Sequence, residues 1–157
     1  MDAEIATYAR ELRWILEQIV AAVEGLTPAQ LAWRPSTGDA NSPSAIISHV
    51  VGSTRVYVLG FGCGRPVARD RRAEFAASGA DTTGLVAGVR QLSAEIESAL
   101  ASLPPGSLDR RIRPPQELWG TGDPREISAR EAFVEGIRHA ALHLGELRLT
   151  RDLALQR

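Results

Sequence analysis

The side chains of this sequence best suited to chemistry are its three histidines, His49, His139 and His143. His139 and His143 stand four residues apart in Gly136-Ile137-Arg138-His139-Ala140-Ala141-Leu142-His143-Leu144-Gly145-Glu146-Leu147, a stretch whose residues mostly favour a helix. On a helix, positions i and i+4 lie one above the other on the same face. Two imidazoles so placed can converge on one ion, as in other HxxxH metal sites. Taken alone, such a pair is more often solvated or hydrogen-bonded than metal-binding. With His49 the count becomes three, two on one helix and one elsewhere, which is the ligand count of an open catalytic zinc site. Three neutral imidazoles would leave the ion's charge unneutralised and a coordination position open. A thiol entering that position would lose its proton, and water there would have a lowered pKa. Glu146 follows His143 by three residues and His139 by seven, so it shares their face. It is the candidate catalytic carboxylate, either as a general base or, the favoured role, as a group orienting a histidine. Glu135, four residues before His139, is the second such carboxylate.

Composition removes several other chemistries. All 18 basic residues are arginine, so a Schiff-base lysine, a P-loop lysine and a lysine general base are all excluded. The formal charge of −1 gives no general attraction to nucleic acid or to anionic membranes. No run approaches the roughly 18 consecutive apolar residues that read as a membrane span, and the acidic start lacks the layout of a signal peptide. The single cysteine, Cys63, excludes an intramolecular disulfide and suits a reducing cytoplasm. The alternating glycines of Gly60-Phe61-Gly62-Cys63-Gly64 follow a predicted helix and lack GxGxxG spacing, so they read as a helix end and not as a phosphate cradle. Cys63 lies fourteen residues past His49, about 21 Å along a continuous helix, and reads as a small buried thiol and not as a fourth ligand.

The elements that must position the histidines can be read in order. The length of 157 residues fits one domain spanning residues 1–157. Asp2 caps a first helix over Ala3 to Val23, whose stripe is Ile5, Leu12, Leu16, Ile19 and Val23, and Gly25 ends it. Thr27-Pro28-Ala29-Gln30 is a capping box opening a short turn that Pro35 stops. Ser42-Pro43 opens the second long helix, which carries His49 about two turns in, with Ser53 and Val56 beside it. Residues 65–82 form a connection rich in Arg65, Arg69, Arg71 and Arg72, with Asp70 and Glu74 interleaved. It reads as a solvated surface, or alternatively as an anion-binding lip, with Phe75 pinning it to the core. A third helix runs from about Gly84 to Leu103, and residues 108–127 form a loop in which Trp119 covers apolar surface. Ser128-Ala129-Arg130-Glu131 is a second capping box, opening the helix of His139 and His143. The chain is therefore all-α: a four-helix bundle with a long crossover between the second and third helices, a fold that places metal sites between facing helices. Ile15 and Val20 lie outside the main stripe of the first helix, which suggests an apolar face for a homodimer.

This combination resembles the DinB-like superfamily of metal-binding four-helix bundles, in which one ligand lies on the second helix and an HxxxH pair on the last. The resemblance rests on His49 within Ser44-Ala45-Ile46-Ile47-Ser48-His49-Val50-Val51-Gly52 and on His139 and His143 followed by Leu144-Gly145-Glu146-Leu147. Trp33-Arg34-Pro35 and Asp70-Arg71-Arg72-Ala73-Glu74-Phe75 add to it, and it covers nearly the whole chain. It implies a divalent transition metal on His49, His139 and His143, with zinc first and nickel next. It also implies a low-molecular-weight thiol of the mycothiol or bacillithiol type, conjugated to an electrophile in detoxification by a thiol S-transferase. The related maleylpyruvate isomerases carry a further domain and resemble this chain only in their bundle. Arg34 and Arg69 are the arginines expected to bind the polar part of such a cofactor. The alternatives are a non-catalytic bundle stabilised by its metal and, third, a metal-dependent hydrolase.

Overall fold

The computed structural model describes residues 2–36, 38, 40–76, 81–120 and 122–156; parts of the predicted loops, at 37, 39, 77–80 and 121, lie outside the described residues. Helix α1 (Ala3–Val23) starts where the Asp2 carboxylate accepts from the Glu4 N–H, and ends before Gly25, whose φ of +83° only glycine adopts freely. The short α2 (Pro28–Ala32) has both bonds of its capping box, between Thr27 and Gln30. Ser42 caps α3 (Pro43–Thr54), after which the same rod continues as a π-helical segment over Arg55–Gly62. A short α4 (Arg71–Ala76) interrupts the crossover, and α5 (Thr82–Ala101) follows the cap at Asp81. A 3-10 turn (Ser107–Asp109) leads to β1 (Arg111–Ile112), which pairs antiparallel with β2 (Ile127–Ser128). Ser128 and Glu131 then close the capping box of α6 (Ala129–Ala154).

The four long rods close a ring, with α1 between α5 and α6, and α3 against α6 and α5. Their apolar stripes meet at the centre, where Leu12, Leu16, Ile19, Ile46, Ile47, Leu92, Ile96, Leu100, Phe133 and Leu147 are fully buried. Each such side chain contributes about 1.5–3 kcal/mol by leaving water, which is why the 3.6-residue period outweighs any single weak helix former. The expected all-α bundle with its crossover is observed.

Three features differ from the sequence reading. The connection after α3 contains a helix, because Asp70 accepts from the Ala73 N–H as an N-cap does. The loop before α6 contains the two-stranded ladder, whose two residues per strand are too few to show alternation in sequence. Its Trp119 does cover apolar surface, packing on the cluster of Val56, Phe61, Ile127 and Ala132. Ile15 and Val20 are core residues, 3% and 9% exposed, so they present no outer face to a second copy. The exposed large apolar side chains of the described residues are Trp14 on α1, Val134, Leu142, Leu149 and Leu153 on α6, and Leu155 just after it.

The rod Pro43–Gly62 is long and apolar enough to cross a membrane by length and composition alone, although no unbroken apolar run marks it in the sequence. In this fold 72% of it is buried inside the bundle. Its apolarity reflects contact with helices on several sides.

Candidate metal centre

His49 lies on α3 and is 5% exposed, facing α6 across the bundle interior. Its Nε2 lies 3.2 Å from Nε2 of His139, and the ring of His143 is 4.8 Å from its own, centroid to centroid. One nitrogen from each of the three rings lies within 4.8 Å of the others. A tetrahedral ion holding imidazoles at ~2.0–2.1 Å wants nitrogens roughly 3.4 Å apart, so a small closure of the cluster would bind one.

The opposite nitrogens explain why the rings point inward. Ser53 is one turn beyond His49; its hydroxyl donates to the His49 carbonyl at 2.8 Å, leaving its oxygen to accept from Nδ1–H of His139 at 3.1 Å. That arrangement gives His139 a lone pair on Nε2, as ligation requires. The Glu146 carboxylate accepts from Nδ1–H of His143 at 2.6 Å, with the same consequence. His49 Nδ1 lies 3.0 Å from Glu74 Oε2 and 3.1 Å from Nη2 of Arg69. A guanidinium only donates and a carboxylate only accepts, so the two contacts belong to different tautomers. With its proton on Nε2, His49 bonds His139 and accepts from Arg69. With the proton on Nδ1, it bonds Glu74 and frees Nε2 for an ion. Carboxylates on the outer nitrogens of ligating histidines have this orienting effect in metal sites generally.

Glu74 is the residue that sequence reasoning left in a solvated loop. It is 8% exposed on α4 and is gripped by Arg69, with Nε to Oε1 at 2.7 Å and Nη2 to Oε2 at 2.8 Å. Burial alone would raise its pKa, but the Arg69 and His49 hydrogen bonds outweigh that and hold it below the usual value. Space for it is left by Gly52, one turn past His49, where a Cβ would collide with Glu74 Oε1. The signals were present in sequence: Asp70 as a cap, Glu74 four residues later, and a glycine in an otherwise continuous helix.

The remaining expected residues divide. Arg69 comes to the centre, as the partner of Glu74. Arg34 is exposed, donates from Nε to the Ala40 carbonyl at 3.2 Å, and makes no hydrogen bond to the three histidines. Glu135 is taken by Arg138 through an ion pair of 2.5 Å. Phe75 does pin its segment, its ring 4.8 Å from that of His49. Cys63 packs against the core, and burial pushes its thiol up to about 11, which suits an inert side chain.

The family model described as the DinB superfamily matches residues 11–147. The chain belongs to the DinB superfamily. No curated protein matches it. Among solved structures, a conserved protein of locus from Enterococcus faecalis superposes with a TM-score of 0.74 at 16% identity, covering 100% of this chain and 99% of the other. At that identity the likeness shows the fold alone. Within this DinB-superfamily chain the three histidines form a group that could hold a metal ion.

Burial, and then the neighbouring His143 and His49, push His139 down to about 3 from its ordinary 6.5. The folded metal-free chain therefore keeps this ring neutral where the unfolded chain protonates it. Between these two values the unfolded state binds the extra proton, so stability is full above about pH 6.5 and falls on acidification. Glu74 acts in the same direction, since a carboxylate held below its ordinary pKa loses its contribution as pH falls. The unfolding free energy of the metal-free protein, from urea titrations, should be level above neutrality and decline below it, by up to about 1.4 kcal/mol per pH unit for one proton. His139→Gln, which has no proton to take up in this range, should show the shallower decline. An equal slope in both proteins would refute the assignment.

Proposed function

We propose that this DinB-superfamily protein is a metal-dependent thiol S-transferase, in which His49, His139 and His143 hold a divalent transition metal, with zinc preferred and nickel second. The observation that carries this reading is that each ring has a separate partner on its outer nitrogen, Glu74, Ser53 and Glu146, with the inner nitrogens turned toward one point. When bound, the ion would act as a Lewis acid that favours the thiolate form of a low-molecular-weight thiol. The protein's own part is to keep the three imidazoles neutral and aimed, and to leave one side open. His143 supplies that open side, with 24% of its side chain exposed. Glu146, 37% exposed beside it, orients His143 and is the carboxylate available to take up a proton there.

In the proposed reaction the sulfur forms a bond to an electrophilic carbon. The thiol proton passes to solvent or to Glu146, and the leaving group departs with its electron pair. A halide would leave as the anion; an opened epoxide would take up a proton. A reducing cytoplasm suits such a reaction, because it keeps the cosubstrate thiol reduced.

Cobalt-substituted protein should develop a thiolate charge-transfer band on addition of 2-mercaptoethanol, half-formed well below the roughly 8.5 of a free thiol. Conjugation of that thiol to 1-chloro-2,4-dinitrobenzene should be faster with wild type than with His143→Ala. A second reading, a non-catalytic ion tying α3 to α6, is favoured by ligands that come from both of these helices. It would be the better one if metal is bound, no thiol band forms and the two proteins conjugate equally.

A further inference from the structure

Two of the arginines around the three histidines are already paired. Arg69 is engaged by Glu74, and Arg138 by Glu135. Arg71 forms no ion pair among the described residues; its guanidinium carbon stands 5.8 Å from the ring of Phe75, which packs on His49. Glu146, the third carboxylate here, is engaged by His143, so Arg71 is the one of these three arginines without a carboxylate partner among the described residues. Tyr57, on the π-helical segment, has its ring 6.3 Å from that of His139 and 5.6 Å from that of Phe61.

Tyr57 is half-buried, and its hydroxyl makes no hydrogen bond among the described residues. A tyrosine held in this way normally finds a partner for its O–H. Its place is set by Gly136, where a Cβ would stand 3.3 Å from Tyr57 Cβ and 2.9 Å from Val58 Cγ2. α6 can therefore lie close against the π-helical segment only with glycine here. Burial raises the Tyr57 pKa, so the phenol remains a donor, and the charged groups that act on it are Glu135, Arg69, Arg138 and Arg71. Tyr57 and Arg71 therefore both flank the histidine centre, the one at His139 and the other through Phe75 at His49. π-helical stretches within helices are frequent at functional sites, where they re-aim side chains.

We propose that Arg71 and Tyr57 anchor the carboxylate of a small thiol whose sulfur enters the three-histidine centre. This rests on the thiol reading above and specifies its ligand as a carboxylate-bearing thiol. A single unpaired guanidinium matches a planar monoanion, which its fork can hold with two hydrogen bonds, while the phenol donates a third. A phosphate dianion would call for a second uncompensated cation.

The test titrates cobalt-loaded protein with 3-mercaptopropionate and with 2-mercaptoethanol and reads dissociation constants from the spectrum. The carboxylated thiol should bind about tenfold more tightly, as expected for one charge-assisted contact at a part-exposed site. Arg71→Ala should bring the ratio of the two constants toward one and Tyr57→Phe should reduce it, with cobalt content maintained in both. Equal binding of the two thiols by wild type, or a ratio that survives Arg71→Ala, overturns the proposal. If neither thiol perturbs the spectrum, the thiol reading itself fails. Calorimetry with propionate then tests the anchor alone: binding that weakens in Arg71→Ala supports it, and no binding or no weakening overturns it.

Discussion

Glu74→Ala will destabilise the metal-free protein by about 3–5 kcal/mol, the cost of leaving one member of a buried ion pair without its partner. The side chains of Arg69 and Glu74 are 6% and 9% exposed, and two short bonds join them. Removing the carboxylate leaves a desolvated guanidinium facing His49 Nδ1. That guanidinium can only donate, so His49 is driven to the tautomer with its proton on Nε2, where a ligand lone pair is needed. Metal affinity should therefore fall about 10–100-fold as well, the usual effect of removing the carboxylate behind a ligating histidine. Urea denaturation and competitive metal titration measure the two quantities separately. Replacing both partners, as Arg69→Met with Glu74→Leu, should recover much of the stability, because no buried charge is then left unpaired. The double variant should not recover metal affinity. A Glu74→Ala protein within about 1 kcal/mol of wild type, well under the cost of an unpaired buried charge, would show that the pair does not form in solution.

The largest effect expected on metal content comes from the histidines. Purified wild type should hold one divalent transition metal per chain. His49→Ala, His139→Ala and His143→Ala should each lose tight binding. A structural zinc site gains about 10–16 kcal/mol from four ligands, so one ligand of three accounts for roughly 3 kcal/mol, more than a hundredfold in affinity. His49→Ala should be the most disruptive to the fold, since that ring also fills a nearly closed space between Phe75, His139 and Glu74. Elemental analysis after dialysis against a weak chelator, set beside circular dichroism, separates loss of metal from loss of fold. Full metal content in any one of the three variants would remove that residue from the ligand set.

The helical frame was legible in the residues because its rules are local. Asp2, Thr27, Ser42 and Ser128 each cap a helix in the structure, as their side-chain oxygens and following residues required. The stripes of α1, α5 and α6 follow a period of 3.6 and point inward for that reason alone. Three histidines without spares, two of them one turn apart, marked the centre, and the protein brings all three rings together.

What the sequence left open depended on contacts between distant segments. Glu74 and His49 are 25 residues apart, and a carboxylate among four arginines looks solvated until α4 docks against α3 over Gly52. Ser53 finds His139, 86 residues away, only once the ring has chosen its direction. The shift of the α3 rod to π geometry after Thr54, in the segment that holds Tyr57 near His139, has no composition of its own. Whether Ile15 and Val20 face solvent or core was decided by the placement of α1 between α5 and α6, since a helix flanked on two sides buries more than one stripe. Local propensity and periodicity therefore determined which segments are helices and which histidines could meet. Burial and charge pairing across the bundle decided that Arg69 is neutralised by Glu74 and which nitrogen of each ring faces the centre. Those outcomes depend on desolvation and on partners far away in the chain, which no local stretch of residues contains.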